Sequence, residues 1–360
     1  MQNRKLFVIL VTGCLVFSLS SGRVVQNTIF LFGIQQVCAQ GLDGIIAPGA
    51  ELSRITGTPT VFSADAPCWD DGYLFFTDNN FASPEKSRTL RIAPDGAVTV
   101  IREDNGVVTG IKPSGRGTYY VSEFNSHRII EMDRDGTILR TIADNFNGTP
   151  FVGPTGLTVD AVGGIYFTDT FRFSDDDDNP RNKPTVYYIK PDGTVIRGSE
   201  NLFFPNDIAL SPDGSRVYVT NPYGEELLQY VYAIDITPDG TLTNVSKFCE
   251  LELTRMMIAS IQFTRDFRGP CSPPRHFFAT SGSNGLAVDT AGNLYVATNQ
   301  GLGIQVFDPS GKHLGDITTA SPINHCAFGG PGMQTLYVAA EDGIYTIHTR
   351  IPGVRVALGN

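Results

Sequence analysis

The chain has 360 residues, 38 of them Gly and 22 Pro, with charged residues at 18% and a formal net charge of −10. The acidic balance excludes a nucleic-acid binder, which needs a basic stripe to neutralise phosphates. High Gly with ordinary hydrophobicity predicts many short strands joined by tight turns, and closed all-β architectures often use this much chain in one unit.

The N-terminus reads as a signal peptide spanning residues 1–39. Arg4 and Lys5 precede an apolar run from Leu6 to Leu19, and Val37-Cys38-Ala39 offers a small-residue cleavage site before Gln40. A secreted or periplasmic protein is expected, with no stable membrane span after signal removal, because Thr12, Gly13 and Ser18 interrupt the run. Val11-Thr12-Gly13-Cys14 also has the form of a bacterial lipobox, although the apolar stretch continues past Cys14.

Beyond residue 40 one phrase recurs: an apolar strand, a turn with Asp or Gly, then aromatic and β-branched residues ending in a small polar residue. It appears first as Pro67-Cys68-Trp69-Asp70-Asp71-Gly72 before Tyr73-Leu74-Phe75-Phe76-Thr77-Asp78. Further copies open near Gly110, Gly156, Asp207, Gly285 and Cys326. A second hairpin follows within copies, as in Arg128–Met132 before Asp133-Arg134-Asp135-Gly136. Four antiparallel strands at a period of about 45 residues is what a propeller blade requires. The sequence therefore predicts an all-β fold, a six-bladed β-propeller over residues 40–360 as one domain. The step from Asp207 to Gly285 is 78 residues, against 46 from Gly110 to Gly156, which places an insertion at about 251–281. Its four Phe residues suit either a lid or packing. The acidic run Asp175 to Asp178 lacks EF-hand ligand spacing and reads as a solvated loop.

Of six cysteines, Cys68, Cys249, Cys271 and Cys326 lie beyond the signal, and their spacing matches no zinc pattern. Cys249 and Cys271 flank the insertion; a disulfide between them and free buried thiols are both open. Asn147-Gly148-Thr149 and Asn244-Val245-Ser246 are glycosylation sequons.

The residue before each innermost strand is expected to face the central channel. The repeat puts Asp65, Thr109, Thr155, Asn206, Asn284 and Asn324 there. Converging side-chain oxygens suit a hard cation such as Ca²⁺; short polar residues also cap strand ends.

Three motifs then resemble the gluconolactonase and regucalcin family. Asp65-Ala66-Pro67-Cys68-Trp69 is similar to its Glu-Gly-Pro-x-Trp opening, Pro205-Asn206-Asp207 to its Pro-Asn-Gly segment, and Asn324-His325-Cys326 to its last-blade motif. Paraoxonases and diisopropyl-fluorophosphatase share the architecture. The resemblance implies hydrolysis of lactones or related esters, with a divalent metal, Ca²⁺ by type, at the propeller axis. By that resemblance Asp65, Asn206 and Asn284 hold the metal, while Thr155 and Asn324 contact substrate. The family's acidic base falls at Asn284, whose amide cannot accept a proton at neutral pH. Site charge from the matched ligands then drops from about −2 to −1, weakening Ca²⁺ binding. The catalytic base is thus unassigned, with His325 a candidate acceptor. The expected partner is a small-molecule substrate of a monomeric protein. The changed ring leaves two alternatives: a metal-independent propeller enzyme of specialised metabolism, resembling the strictosidine synthase scaffold, or a non-catalytic binding propeller.

Overall fold

The computed structural model describes residues 8–11, 14–17, 39–170, 184–198, 202–222, 229–252, 283–298, 303–319 and 321–355. The chain divides into two units, Met1–Gln36 and Val37–Asn360. In the first, Val8–Val11 pairs antiparallel with Cys14–Phe17. The inserted segment beyond Glu252, Cys271 and the acidic run from Asp175 lie outside the described residues.

The second unit is built from six small antiparallel sheets, with no α-helix among the described residues. The innermost strands of the six blades are, in order, Ala64–Asp70, Val108–Pro113, Pro154–Val159, Ile208–Leu210, Ser283–Val288 and Ile323–Gly329. Each touches the next, and the innermost strand of blade 6 touches that of blade 1, so the ring closes. The six-bladed β-propeller expected from the repeat is therefore the fold.

Alternation explains the packing. Along Tyr119–Glu123 or Ile165–Asp169 every residue is buried, because a blade has neighbours on both faces. Six apolar clusters result, one between each pair of adjacent blades. Phe75, Tyr119 and Ile130 sit in the one between blades 1 and 2. At blade tips, Asp side chains tie the turns: Asp160 Oδ1 accepts from the backbone N–H groups of Val162 and Gly164, while Tyr188 donates to its Oδ2.

Two details depart from four consecutive strands per blade. The fourth strand of blade 6 is Ser53–Arg54, which pairs with Gly343–His348. The chain thus closes its own ring by placing an N-terminal strand on the last blade. Blade 5 gains a fifth strand, Ala39–Gln40, on its outer edge. Leu42, Ile45, Ile46 and Leu52, between these strands, are buried in the cluster of blades 5 and 6.

Neighbouring blades are also joined near the axis by hydroxyl groups. In blades 2, 3 and 4 a small polar residue at or next to the end of the second strand donates across to the next blade's innermost segment. Ser122 Oγ donates to the Thr155 carbonyl, Thr168 Oγ1 to that of Asn206 (2.6 Å) and Thr220 Oγ1 to that of Asn284 (2.9 Å). Such close approach explains the opening glycines. A Cβ on Gly156 would lie 2.2 Å from Asp207 Oδ1, and one on Gly285 2.4 Å from the His325 ring.

Thr168→Val keeps the shape but removes the donor to Asn206 and the acceptor of the Gly156 N–H. We expect a loss of about 1–3 kcal/mol in urea unfolding; an unchanged midpoint would show that the inter-blade hydroxyl is dispensable.

Candidate active site at the propeller axis

The ring residues do not precede the innermost strands, as the repeat had suggested; five of the six lie inside them, at β-bulges. In blade 2 Thr109 is the extra residue, between the pairs Gly110↔Ser122 and Val108↔Glu123. In blade 6 Asn324 is the extra residue, between Ile323 and His325. The registers also shift at Asp65/Cys68, Pro154/Leu157 and Ser283/Leu286. A bulge re-aims a side chain out of the alternation, which suits residues that must leave the inter-blade packing. Asn206 alone stands before its strand.

Ala66 occupies the position where the resembled motif has Gly, and its φ is 46°. A left-handed alanine costs on the order of 1 kcal/mol, a strain held next to Asp65. Asp65 Oδ1 accepts the Ala66 N–H at 2.7 Å, and its Oδ2 lies 3.5 Å from Asn79 Nδ2. Burial pushes the Asp65 carboxyl up to about 6, opposed by the nearby His325 charge and the Ala66 N–H, with Asp207 adding to the rise.

Asn206 and Asn284 meet directly, Asn206 Nδ2 donating to Asn284 Oδ1 at 2.9 Å. Thr155 and Asn324, the expected substrate contacts, also bond to the protein. Thr155 Oγ1 donates to the Gly153 carbonyl, and Asn324 Nδ2 donates to Ser63 Oγ and the Ala64 carbonyl, joining blade 6 to blade 1.

The residue that sequence reasoning missed is Asp207. Its buried carboxylate accepts the Leu286 N–H of blade 5 at 2.6 Å and faces His325 Nε2 of blade 6 at 3.1 Å. One side chain thereby ties blades 4, 5 and 6. His325 Nδ1 lies 3.0 Å from the Cys326 carbonyl. Both ring nitrogens face acceptors, an arrangement that favours the doubly protonated ring. Burial alone would lower its pKa, but the Asp207 charge and hydrogen bond hold it above the ordinary value. Burial likewise works against the Asp207 carboxylate, and the His325 charge and hydrogen bond keep its pKa low. In this arrangement His325 serves as the counter-charge to Asp207. The only signal for this in the sequence was the adjacency of Asp207 to Asn206 and of His325 to Asn324.

The donors suit a hard cation in type: one carboxylate and two amides, with buried unpaired oxygens at Asn79 Oδ1 and Ser283 Oγ beside Asp65 and Asn284. Asp65, Asn206 and Asn284 would hold the ion, with a single negative charge among them. Among the described residues no cluster of three or more His, Cys, Asp or Glu offers another metal site.

Residues 124–342 match the SMP-30/Gluconolactonase/LRE-like region. The chain belongs to that family. The match covers Thr155, Asn206, Asn284 and Asn324, while Asp65 precedes it. A gluconolactonase of Zymomonas mobilis is 24% identical over 85% of this chain and 86% of its own length. A solved gluconolactonase of Xanthomonas campestris superposes with a TM-score of 0.66 at 21% identity, over 87% of this chain and 94% of that one. The calcium-binding regucalcin of Agrobacterium tumefaciens gives 0.63 at 15% identity, over 86% and 97%. Both structures share the propeller fold.

Removing one half of the Asp207–His325 pair leaves a buried charge alone. We expect His325→Leu to cost about 3–5 kcal/mol at pH 7 in urea unfolding, with much of it recovered in the double variant His325→Leu/Asp207→Asn. Additive losses would show that the two side chains are not coupled.

Proposed function

We propose that this protein hydrolyses a small lactone or related ester at the axial ring. Family membership supports this reading, together with the contact between Asn206 and Asn284 and the place of Asp65 near the start of blade 1's innermost strand. The gluconolactonase relative matches over 86% of its own length.

The chemistry follows from what each side chain can do. The amides of Asn206 and Asn284 donate N–H groups or offer carbonyl oxygens, which orient a lactone but do not remove a proton at neutral pH. Asp65 is the ring's one basic group. With Oδ1 engaged by the Ala66 N–H, its Oδ2 is the atom that takes the proton of an attacking water. Asn79 steadies that oxygen while being held by the Val108 carbonyl at 2.8 Å. A divalent ion bound by Asp65, Asn206 and Asn284 would polarise the lactone carbonyl as a Lewis acid. Calcium is the ion proposed, because the ligands are hard oxygens and the regucalcin neighbour is a calcium-binding protein. His325, fixed beside the ring, limits how much further positive charge the site tolerates.

The test is lactone hydrolysis followed by proton release, using δ- and γ-lactones with millimolar Ca²⁺ or Mn²⁺. Asp65→Asn should lower kcat/KM by about 10²-fold or more while the protein remains folded. Full activity in that variant would remove Asp65 from the reaction, and a wild-type protein inert toward every lactone would overturn the reading.

A further inference from the structure

Beyond the ring, the channel opens into a cavity of about 270 Å³, lined by the innermost strands of all six blades. It holds the volume of about nine water molecules at ~30 Å³ each. The ring residues do not line it. Its walls come from the far halves of the innermost strands, so it faces the opposite end of the propeller. The wall is largely apolar, with Ile208, Leu286 and Phe328. Trp69 stands against Gly329, where a Cβ would fall 2.3 Å from the Trp69 Cβ. The C-terminal run crosses the mouth: Val354 N–H donates to the Val288 carbonyl and Gly353 N–H to that of Met333.

Lys112 shares this lining with three other polar side chains, Asp70, Thr158 and Arg355. It lies on the innermost strand of blade 2, opposite Tyr120, and is half-buried. It is one of the residues that line the cavity. Asp207 engages His325 and Leu286 through Oδ2, while its buried Oδ1 makes no hydrogen bond. Among the described residues the Lys112 ammonium makes neither a hydrogen bond nor an ion pair. A cation part-way out of water among apolar walls carries a desolvation cost that only an anion or trapped water offsets. Arg355 stands at the mouth, 4.0 Å from Asp70, with its side chain 67% exposed.

We propose that this second cavity binds a small monocarboxylate with an apolar body. The carboxylate pairs with Lys112, the apolar part lies against Trp69, Leu286 and Phe328, and Arg355 draws the anion to the mouth. A neutral apolar molecule would leave Lys112 without a partner.

The chain provides its own reporter, because Trp69 is its one tryptophan. Phenylacetate and its neutral amide, phenylacetamide, have matched shapes and serve as probes. Titrating the full protein with phenylacetate should give a saturable change in Trp69 emission. Binding should weaken by about tenfold or more for the amide and for Lys112→Met, and return in Lys112→Arg. Equal affinity for acid and amide, or no saturable change, would overturn the proposal. If Lys112→Met does not melt cooperatively, the comparison of acid with amide in the wild-type protein still decides. Lactone hydrolysis plays no part in this readout, so this proposal and the axial reaction fail independently.

Discussion

The structure depends on how closely six blades approach one another around the axis. Ser122, Thr168 and Thr220 each stand at or next to the end of the second strand of a blade and donate to the innermost segment of the next. Asn324 makes the same kind of connection from blade 6 back to blade 1. These bonds hold backbone to within a glycine's reach, which is why Gly110, Gly156 and Gly285 carry no side chain. Each hydrogen bond is worth only about 1 kcal/mol net, but losing one leaves a buried carbonyl without its donor. The same geometry holds the ring residues at bulges, so stability and site placement share one cause.

That arrangement also separates the axis into two environments. At one end Asp65, Asn206 and Asn284 present oxygens and amide N–H groups. At the other the channel is apolar around Lys112. Between them lies the Asp207–His325 pair, two buried charges that neutralise each other and fasten three blades. A buried ion pair is a poor source of net stability, yet it resists being half-removed. Here it maintains a positive charge next to the ring, in a chain whose ring has one carboxylate. The family's usual acidic residue at the Asn284 position would alter that balance, so Asn284 and His325 are understood together.

Much of the fold was legible because each blade repeats the same buried strand, as in Tyr73–Asp78 and Ile165–Asp169. The closing strand was not, since Ser53–Arg54 is two residues long and both are exposed, leaving no alternation to read. Ala39–Gln40 was hidden for the same reason of length. In the site, Asp65, Thr155, Asn206, Asn284 and Asn324 were proposed from the phase of the repeat and the resemblance of their motifs. Their hydrogen-bond partners were not legible, because side-chain direction depends on bulge geometry that the sequence does not spell out. Asp207 was missed because an acid following an Asn looks like part of a turn. Only the placement of blades 5 and 6 shows it to be a junction.

The most direct test of the account is whether the ring of Asp65, Asn206 and Asn284 binds a divalent ion. Thermal melting of the wild-type protein should shift upward with millimolar Ca²⁺ or Mn²⁺, since an ion that binds only the folded state stabilises it by mass action. The shift should grow in Asn284→Asp and vanish in Asp65→Asn. A melting temperature indifferent to both ions in the wild type and in Asn284→Asp would contradict it.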